Sequence, residues 1–393
     1  MPRAARKTIL EKIEKRRGSK ILSYVTGDRA PAPAQIGDDA VRPLYEHLRR
    51  IDATDKLDVF IYSRGGAIDV PWRINTALRS VGKQWAALIP FRANSAATLL
   101  SLGADEIVLG RHGELGPIDP IMTVQRVVPG AAGGTVVQDQ VPVEDIMAYV
   151  KFVQERAGLS DQEALATGLS KLTERMDAVS LGSAYRTHSH IRDVARRMLV
   201  SRNEPGPEQT ISTIVETLAE RVYAHGHAIG WKNAKEIGLP ASLAGKDLDT
   251  LMWELMLEYE TDLKLLEPLD PATAIATNDK FTEQWTIAMI DSVALSHEFK
   301  GTIEITARRQ VPQSLNVAVN LNVPLPANLA PVLQGGGPDA AQLQQLLQQF
   351  VQQAQQAALQ QAQQAVQDAM KQQSPVAGIE AGFRNARWQR VDG

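Results

Sequence analysis

Between residues 20 and 110 the apolar positions fall into short continuous runs separated by stretches of helical period. Residues 1–19 are charged and read as a helix, and KILSYVTG (20–27) reads as a strand that ends at a glycine. Asp38 and Asp39 open an amphipathic helix carrying Val41, Leu44, Tyr45 and Leu48. LDVFIYSRGG (57–66) is a near-continuous apolar run that ends in Gly-Gly, the signature of a strand buried on both faces. A helix carrying Val70, Ile74, Ala77, Leu78 and Val81 follows, then the strand WAALIPF (85–91), a small-residue helix from about Ser95, and the strand EIVLG (106–110). Strands alternating with helices predict an α/β layer with parallel strands joined by crossover units.

Residues 123–142, with several Gly and Pro, predict a loop or ribbon. Helices are predicted at about 143–157, 160–177, 183–201 and 208–224, and HGHAIGWKNAKEIGLP (225–240) reads as a turn, a short helix and a glycine stop. The texture changes after about residue 245. LDTLMWELMLEY (248–259) is helical, whereas WTIAMIDSVAL (285–295), KGTIEITARRQ (300–310) and SLNVAVNLNVP (314–324) alternate with period two and predict antiparallel strands. From Asp339 to Gln373 there are 16 Gln among 35 residues, with Leu343, Leu347, Phe350, Ala354, Ala357 and Ala365 near helical spacing. This tract is expected to be an amphipathic helix that pairs with other subunits, a disordered tail being the alternative. RWQRV (387–391) reads as a docking peptide or a frayed end. The expected organisation is a catalytic domain over 1–245, a small α+β region over 246–330 and a Gln-rich helical tail with a terminal peptide over 331–393.

Composition narrows the chemistry. The 393 residues carry 42 Lys+Arg against 45 Asp+Glu, a formal charge of −3, which argues against a protein that coats nucleic-acid phosphates. With no cysteine there are no disulfides, no Cys-based zinc or iron–sulfur sites and no thiol nucleophile. The apolar runs are far shorter than the roughly 20 residues needed to cross a bilayer. The basic start lacks the apolar core of a secretory signal, so the expectation is a cytoplasmic protein without an integral membrane anchor. Chemistry is left to Ser, Thr, Lys, His and carboxylates, and no cofactor is expected.

The informative stretch runs from Ser63 to Asp119. Gly65-Gly66 at the carboxyl end of a buried strand leaves bare N–H groups able to stabilise a developing oxyanion; taken alone, the dipeptide is more simply a tight strand-to-helix turn. In Arg92-Ala93-Asn94-Ser95-Ala96-Ala97-Thr98 a serine sits among small residues where a strand gives way to a helix. Its hydroxyl would stand at a helix N-terminus with the Ala96 N–H beside it, while Asn94 or Ser95 also suits a plain N-cap. Both features follow successive strands of one sheet, where open α/β sheets place their sites, and the combination is more specific than either part. Gly113-Glu114-Leu115-Gly116-Pro117-Ile118-Asp119-Pro120 is a rigid turn that could line the same cleft, or a plain loop.

In order and content, YSRGGAID, ANSAATLLSLGADEIV and GELGPIDP resemble the ClpP/crotonase superfamily, in particular the signal-peptide-peptidase A group and its serine dehydrogenase proteinase branch. The resemblance covers roughly residues 5–245, including HGHAIGWKNAKEIGLP. It implies a ClpP/crotonase-like fold and a serine peptidase with Ser95 as nucleophile, Gly65, Gly66 and Ala96 as oxyanion hole, and Asn94 and Asp119 lining the cleft. It also implies a peptide or protein substrate and a homo-oligomeric ring. Two departures stand out: Ala96-Ala97 replaces the glycines common after the serine, and Arg64 replaces a frequent proline, placing a charge at the cleft rim.

A serine needs a base. Members of the signal-peptide-peptidase A group use lysine and ClpP types a His–Asp pair. Lys171, in GLSKLTERMD, is favoured over Lys151. His112 lies in a turn, His188 and His190 are two apart on one helix, and His225 and His227 lack the carboxylate cluster a metal site would need. Two other readings stay open: a ClpP-fold scaffold or peptide-binding ring without activity, and crotonase-type acyl-CoA chemistry using Glu114 or Asp119.

Overall fold

The structure is a computed structural model that describes residues 2–128, 135–156, 161–174, 176–221, 228–310, 317 and 340–391. In chain order the elements are α1 (Pro2–Arg17), β1 (Lys20–Thr26), α2 (Val41–Ile51), β2 (Thr54–Tyr62), α3 (Val70–Arg79), β3 (Gly82–Ile89), β4 (Arg92–Ala93), α4 (Ala96–Ser101), β5 (Glu106–Leu109) and β6 (Glu114–Leu115). An antiparallel hairpin of β7 (Ile121–Val128) and β8 (Thr135–Pro142) comes next. It is followed by α5 (Val143–Lys151), α6 (Gln162–Thr173), α7 (Ala178–Val200), α8 (Glu208–Glu216), α9 (Trp231–Glu236), β9 (Ala241–Leu243) and α10 (Lys246–Asp262). The remainder adds β10 (Lys280–Ser292), β11 (Ser296–Arg309), the Gln-rich helix Ala340–Gln373 and β12 (Val376–Arg390). The chain forms two compact units: Met1–Asp270, Thr282–Ile303 and Phe383–Gly393 in the first, Pro271–Phe281 and Glu304–Gly382 in the second.

The expected α/β layer is present. The main sheet has the order β12-β11-β10-β1-β2-β3-β5-β9. From β1 to β9 the neighbours pair in parallel, as crossover units require. The strands expected after residue 245 do not stand apart from this sheet: β10 pairs antiparallel with β1, Ser23 opposite Asp291. The strand expected at 314–324 lies, but for residue 317, outside the described residues. RWQRV ends in β12, where Trp388 packs beside Tyr24 and Phe299. Among the described residues no helix is long and apolar enough to cross a membrane.

Strand β2 shows why its sequence is apolar without a break. Leu57, Val59 and Ile61 face a core with Ile74, Leu78, Leu99 and Met198. Phe60 and Tyr62 point the other way, against Leu10 and Ile13 of α1 and Met252, Leu255 and Tyr259 of α10. Both faces of a parallel strand are roofed by helices, so neither can be polar. The one ionisable exception, Asp58, is wholly buried and accepts from Arg17 Nε at 3.0 Å and Ser19 Oγ at 2.6 Å. A second buried polar group fastens the layers together. Arg6 of α1 donates to Asp291 of β10 at 2.8 Å and also pairs with Asp262 of α10, and the Tyr259 hydroxyl donates to Asp291 at 2.8 Å. Buried charges are tolerated only when so paired.

Helix α2 docks on the β10–β11 hairpin through two imidazoles. His47 Nδ1 lies 2.8 Å from Ser292 Oγ, His47 Nε2 lies 3.0 Å from His297 Nδ1, and His297 Nε2 meets Glu46 at 3.3 Å. Burial, helped by His297 and Arg3, lowers the His47 pKa from its ordinary value to about 3. Burial also lowers His297, against the pull of Glu46. A histidine neutral in the fold and protonated when unfolded contributes stability that is complete above the ordinary pKa of about 6.5 and lost as pH falls below it. We expect the unfolding free energy, measured in urea, to fall as pH drops from 7 to 5 more steeply than in His47→Gln. The slopes should differ by up to about 1.4 kcal/mol per pH unit; equal slopes would refute a buried neutral His47.

Candidate active site

Two strand ends build the site. After β2, Ser63 N–H donates to Arg92 O at 3.0 Å and Ser63 O accepts from Asn94 N–H at 3.0 Å, so the turn after β2 runs beside the turn after β4. Thr98 Oγ1 reaches Ala93 O at 2.6 Å and Gly116 O at 2.8 Å, which fixes the following loop as well. Between these anchors Ser95 has φ 51° and ψ −115°, a positive φ that non-glycine residues rarely adopt. Such a sharp strand-to-helix turn lifts a side chain out of the sheet and into a cleft. Helix α4 follows, with the Ala97 N–H bonded to Asn94 O at 2.9 Å and the Leu99 N–H to Ser95 O at 2.9 Å. Among the described residues, Ser95 Oγ has no hydrogen-bond partner.

The glycine pair is bare for a steric reason. Gly65 has φ +112°, and a Cβ there would stand 2.7 Å from Ser95 Cβ and 3.1 Å from Ala96 N. Gly66, at φ +155°, lies directly against Ile36. The two N–H groups of the pair have different fates. Gly65 N–H donates to Ser63 Oγ at 3.0 Å, and that hydroxyl also accepts from Thr26 Oγ1 at 2.7 Å. Ile36 bonds Gly65 O at 2.8 Å and the Ala67 N–H at 2.9 Å, which leaves the Gly66 N–H directed away from Ile36. Ala96 opens α4, so its N–H has no acceptor within the helix. Gly65 thus acts through its missing side chain, and the free donors beside Ser95 are those of Gly66 and Ala96. Sequence reasoning gave no role to Ser63 or Ile36; Ser63 had a signal in its place two residues before Gly65, whereas Ile36 had none.

Ser95, Gly65, Gly66, Asn94 and Asp119 line one cavity of about 640 Å³, with Ile68, Pro117 and Ile121 as apolar wall. Asn94 and Asp119, expected from the sequence to line the cleft, are both placed on this cavity. Asp119 Oδ1 accepts the Glu144 N–H at 3.4 Å, tying the wall to the start of α5. Arg64 and Asp28 lie on the same cavity.

The candidate bases are placed elsewhere. Lys171 is on the last turn of α6, 65% exposed, and pairs with Glu174 at 2.7 Å. Lys151 ends α5 and donates to Glu220 at 2.9 Å, a bond that holds its pKa above the ordinary lysine value. His112 packs beside Trp253, His188 lies 3.7 Å from Glu144, and His190 bonds Asp69 at 2.6 Å. Among the described residues no lysine or histidine lines the cavity. His225 and His227 lie outside the described residues. Among the described residues no group of three or more His, Asp or Glu could hold a metal ion.

Residues 2–145 match the family of ClpP-like SDH-type serine proteinases, the branch that the motifs resemble. Two uncharacterized proteins of Methanocaldococcus jannaschii are similar. One is 29% identical over 128 residues, 30% of this chain and 43% of its own; the other is 28% identical over 123 residues, 28% and 40%. The chain thus spans less than half the length of either relative. Among solved structures, a serine-to-alanine mutant of the 1510-N membrane-bound stomatin-specific protease is 13% identical, with a TM-score of 0.31 over 56% of this chain and 79% of its own. A lysine-to-alanine mutant in complex with a substrate peptide is 13% identical, with a TM-score of 0.32 over 56% and 75%.

Because Gly65 leaves no room beside Ser95, Gly65→Ala is expected to slow labelling of Ser95 by a fluorophosphonate on the order of 100-fold. Gly182→Ala, where a Cβ meets nothing within 4 Å, should label at the wild-type rate. Equal rates for both would show that the close contact does not shape the site.

Proposed function

We propose that this protein is a serine peptidase that forms an acyl-enzyme on Ser95. The observation that carries the reading is an unpartnered, strained Ser95 on a cavity that Gly66 also lines, with the Ala96 N–H next to it at the start of α4. The family match over residues 2–145 supports it. Ser95 Oγ attacks the peptide carbonyl as a base takes its proton, and the carbonyl oxygen becomes an oxyanion facing the two N–H donors. The tetrahedral intermediate collapses, the amine leaves with the proton, and water releases the acyl group by the same route.

The base in this reading is a lysine, with Lys171 as candidate. The cavity of a single chain holds no lysine or histidine among the described residues, and in this reading the base reaches it by assembly or by movement of α5 and α6. A homo-oligomer, with peptide or protein substrates, fits that need: Lys171 stands on a helix with no buried residue, free to face a second copy. The same vacancy supports a second reading, a peptide-binding assembly without turnover. Crotonase-type chemistry is less well supported, since Glu114 is engaged with Arg92 at 3.3 Å and Asp119 already accepts the Glu144 N–H.

Ser95→Ala should abolish fluorophosphonate labelling and peptide hydrolysis, a loss of roughly 10³-fold or more. Lys171→Ala should abolish hydrolysis at pH 7 and recover part of it at higher pH, where hydroxide replaces the base. Full activity in Lys171→Ala would remove Lys171 from the mechanism. Labelling of Ser95 without hydrolysis of any peptide would favour the binding assembly.

A further inference from the structure

Arg64 directly precedes the glycine pair, lines the Ser95 cavity and is 52% exposed. Its Nε donates to Asp28 Oδ2 at 2.7 Å. Among the described residues, its two Nη groups, with four N–H donors, have no hydrogen-bond partner. Asp28 is well supplied. Tyr62, whose phenol burial holds well above its ordinary pKa and so keeps protonated, donates to Asp28 Oδ1 at 3.0 Å. Arg92 stands 4.0 Å from Oδ2 and is itself paired with Glu114.

The outcome is a guanidinium pinned by its inner nitrogen. Asp28 fixes its direction and removes part of the entropy that a long free side chain would lose on binding. The outer edge of the fork remains, two parallel N–H groups spaced to grip both oxygens of a carboxylate. A lysine would offer only a point charge. Asp28 also accepts from Tyr62 and has Arg92 4.0 Å away, so Arg64 is not the sole group compensating it.

We propose that Arg64 is a specificity-determining residue that binds a substrate carboxylate, so that the cleft selects peptides carrying an acidic group near the bond presented to Ser95. The hydrolytic part rests on the serine-peptidase reading; the carboxylate site does not. Two sources carry this chemistry, an Asp or Glu side chain and the C-terminal carboxylate of a peptide.

The test measures binding of fluorescent peptides to the full chain bearing Ser95→Ala, by anisotropy, alongside hydrolysis by the wild type. The peptides place Glu or Gln at each position around a fixed core, with a free or amidated C-terminus. At one position, or at the free terminus, the acid is expected to bind about tenfold more tightly than its amide. Adding Arg64→Gln should erase the difference, and Arg64→Lys should restore part of it. A difference that follows the side chain assigns the acidic residue, and one that follows the terminus assigns the C-terminal carboxylate. The proposal is overturned if acid and amide bind alike, absence of binding included, or if the preference survives Arg64→Gln. An Arg64-dependent preference without wild-type hydrolysis or Ser95 labelling would sink the peptidase reading and leave the carboxylate site standing.

Discussion

The site depends on two strand-to-helix turns touching backbone to backbone. Gly65 approaches Ser95 so closely that a methyl group would stand 2.7 Å from the serine Cβ. That contact has to be held from outside, because neither turn carries bulk at the point of approach. Ser63 supplies the hold, its N–H donating to Arg92 O and its carbonyl accepting the Asn94 N–H, and Ile36 braces the glycine pair from behind. The strain at Ser95 is then maintained by its surroundings, with β6 and the loop at Gly116 locked to the same strand end through Thr98. Strain maintained in this way leaves the hydroxyl raised into the cavity before any ligand arrives.

The same economy governs the polar groups. Several buried ionisable residues are tied into sets: Asp58 with Arg17 and Ser19, Asp291 with Arg6 and Tyr259, His47 with Ser292 and His297, although Arg6 Nη2 and Asp291 Oδ1 have no partner among the described residues. Each set joins elements distant in sequence, so each acts as a register mark for the packing of helices on the sheet. At the cavity the pattern changes. The Gly66 N–H, the Ser95 hydroxyl and the outer edge of Arg64 are donors without acceptors among the described residues on one cavity, with the Ala96 N–H next to Ser95. Donors left open on a cleft are available to a group that is not part of the chain.

Local features of this arrangement were legible in the sequence. The unbroken apolar run of β2 announced burial on both faces, and the small residues around Ser95 announced a turn with access. Gly65-Gly66 could be read as a bare turn, but not which N–H would stay free, because that depends on Ser63, whose hydroxyl takes the Gly65 N–H. The antiparallel strands were readable by their period, whereas their place beside β1 was not, since side-chain alternation says nothing about which edge a strand joins. Lys171 shows the same limit. Its spacing after Ser95 suggested a base, but spacing does not encode the exposed helix face on which it sits.

The pairing of β1 with β10 has a consequence for how the protein comes into being. Arg6 meets Asp291 across 285 residues of sequence. Until residue 291 is made, the buried guanidinium can reach Asp262 at most, and the outer edge of β1 stays open. Synthesis at the usual 5–20 residues per second would leave that edge exposed for roughly 15 to 50 s. Non-local closure of this kind slows folding, and an unpaired edge invites other strands. The parallel core can gather as it emerges from the ribosome, but the sheet that carries the site is sealed only by a strand made near the end, so a nascent chain will lean on chaperones for most of its synthesis.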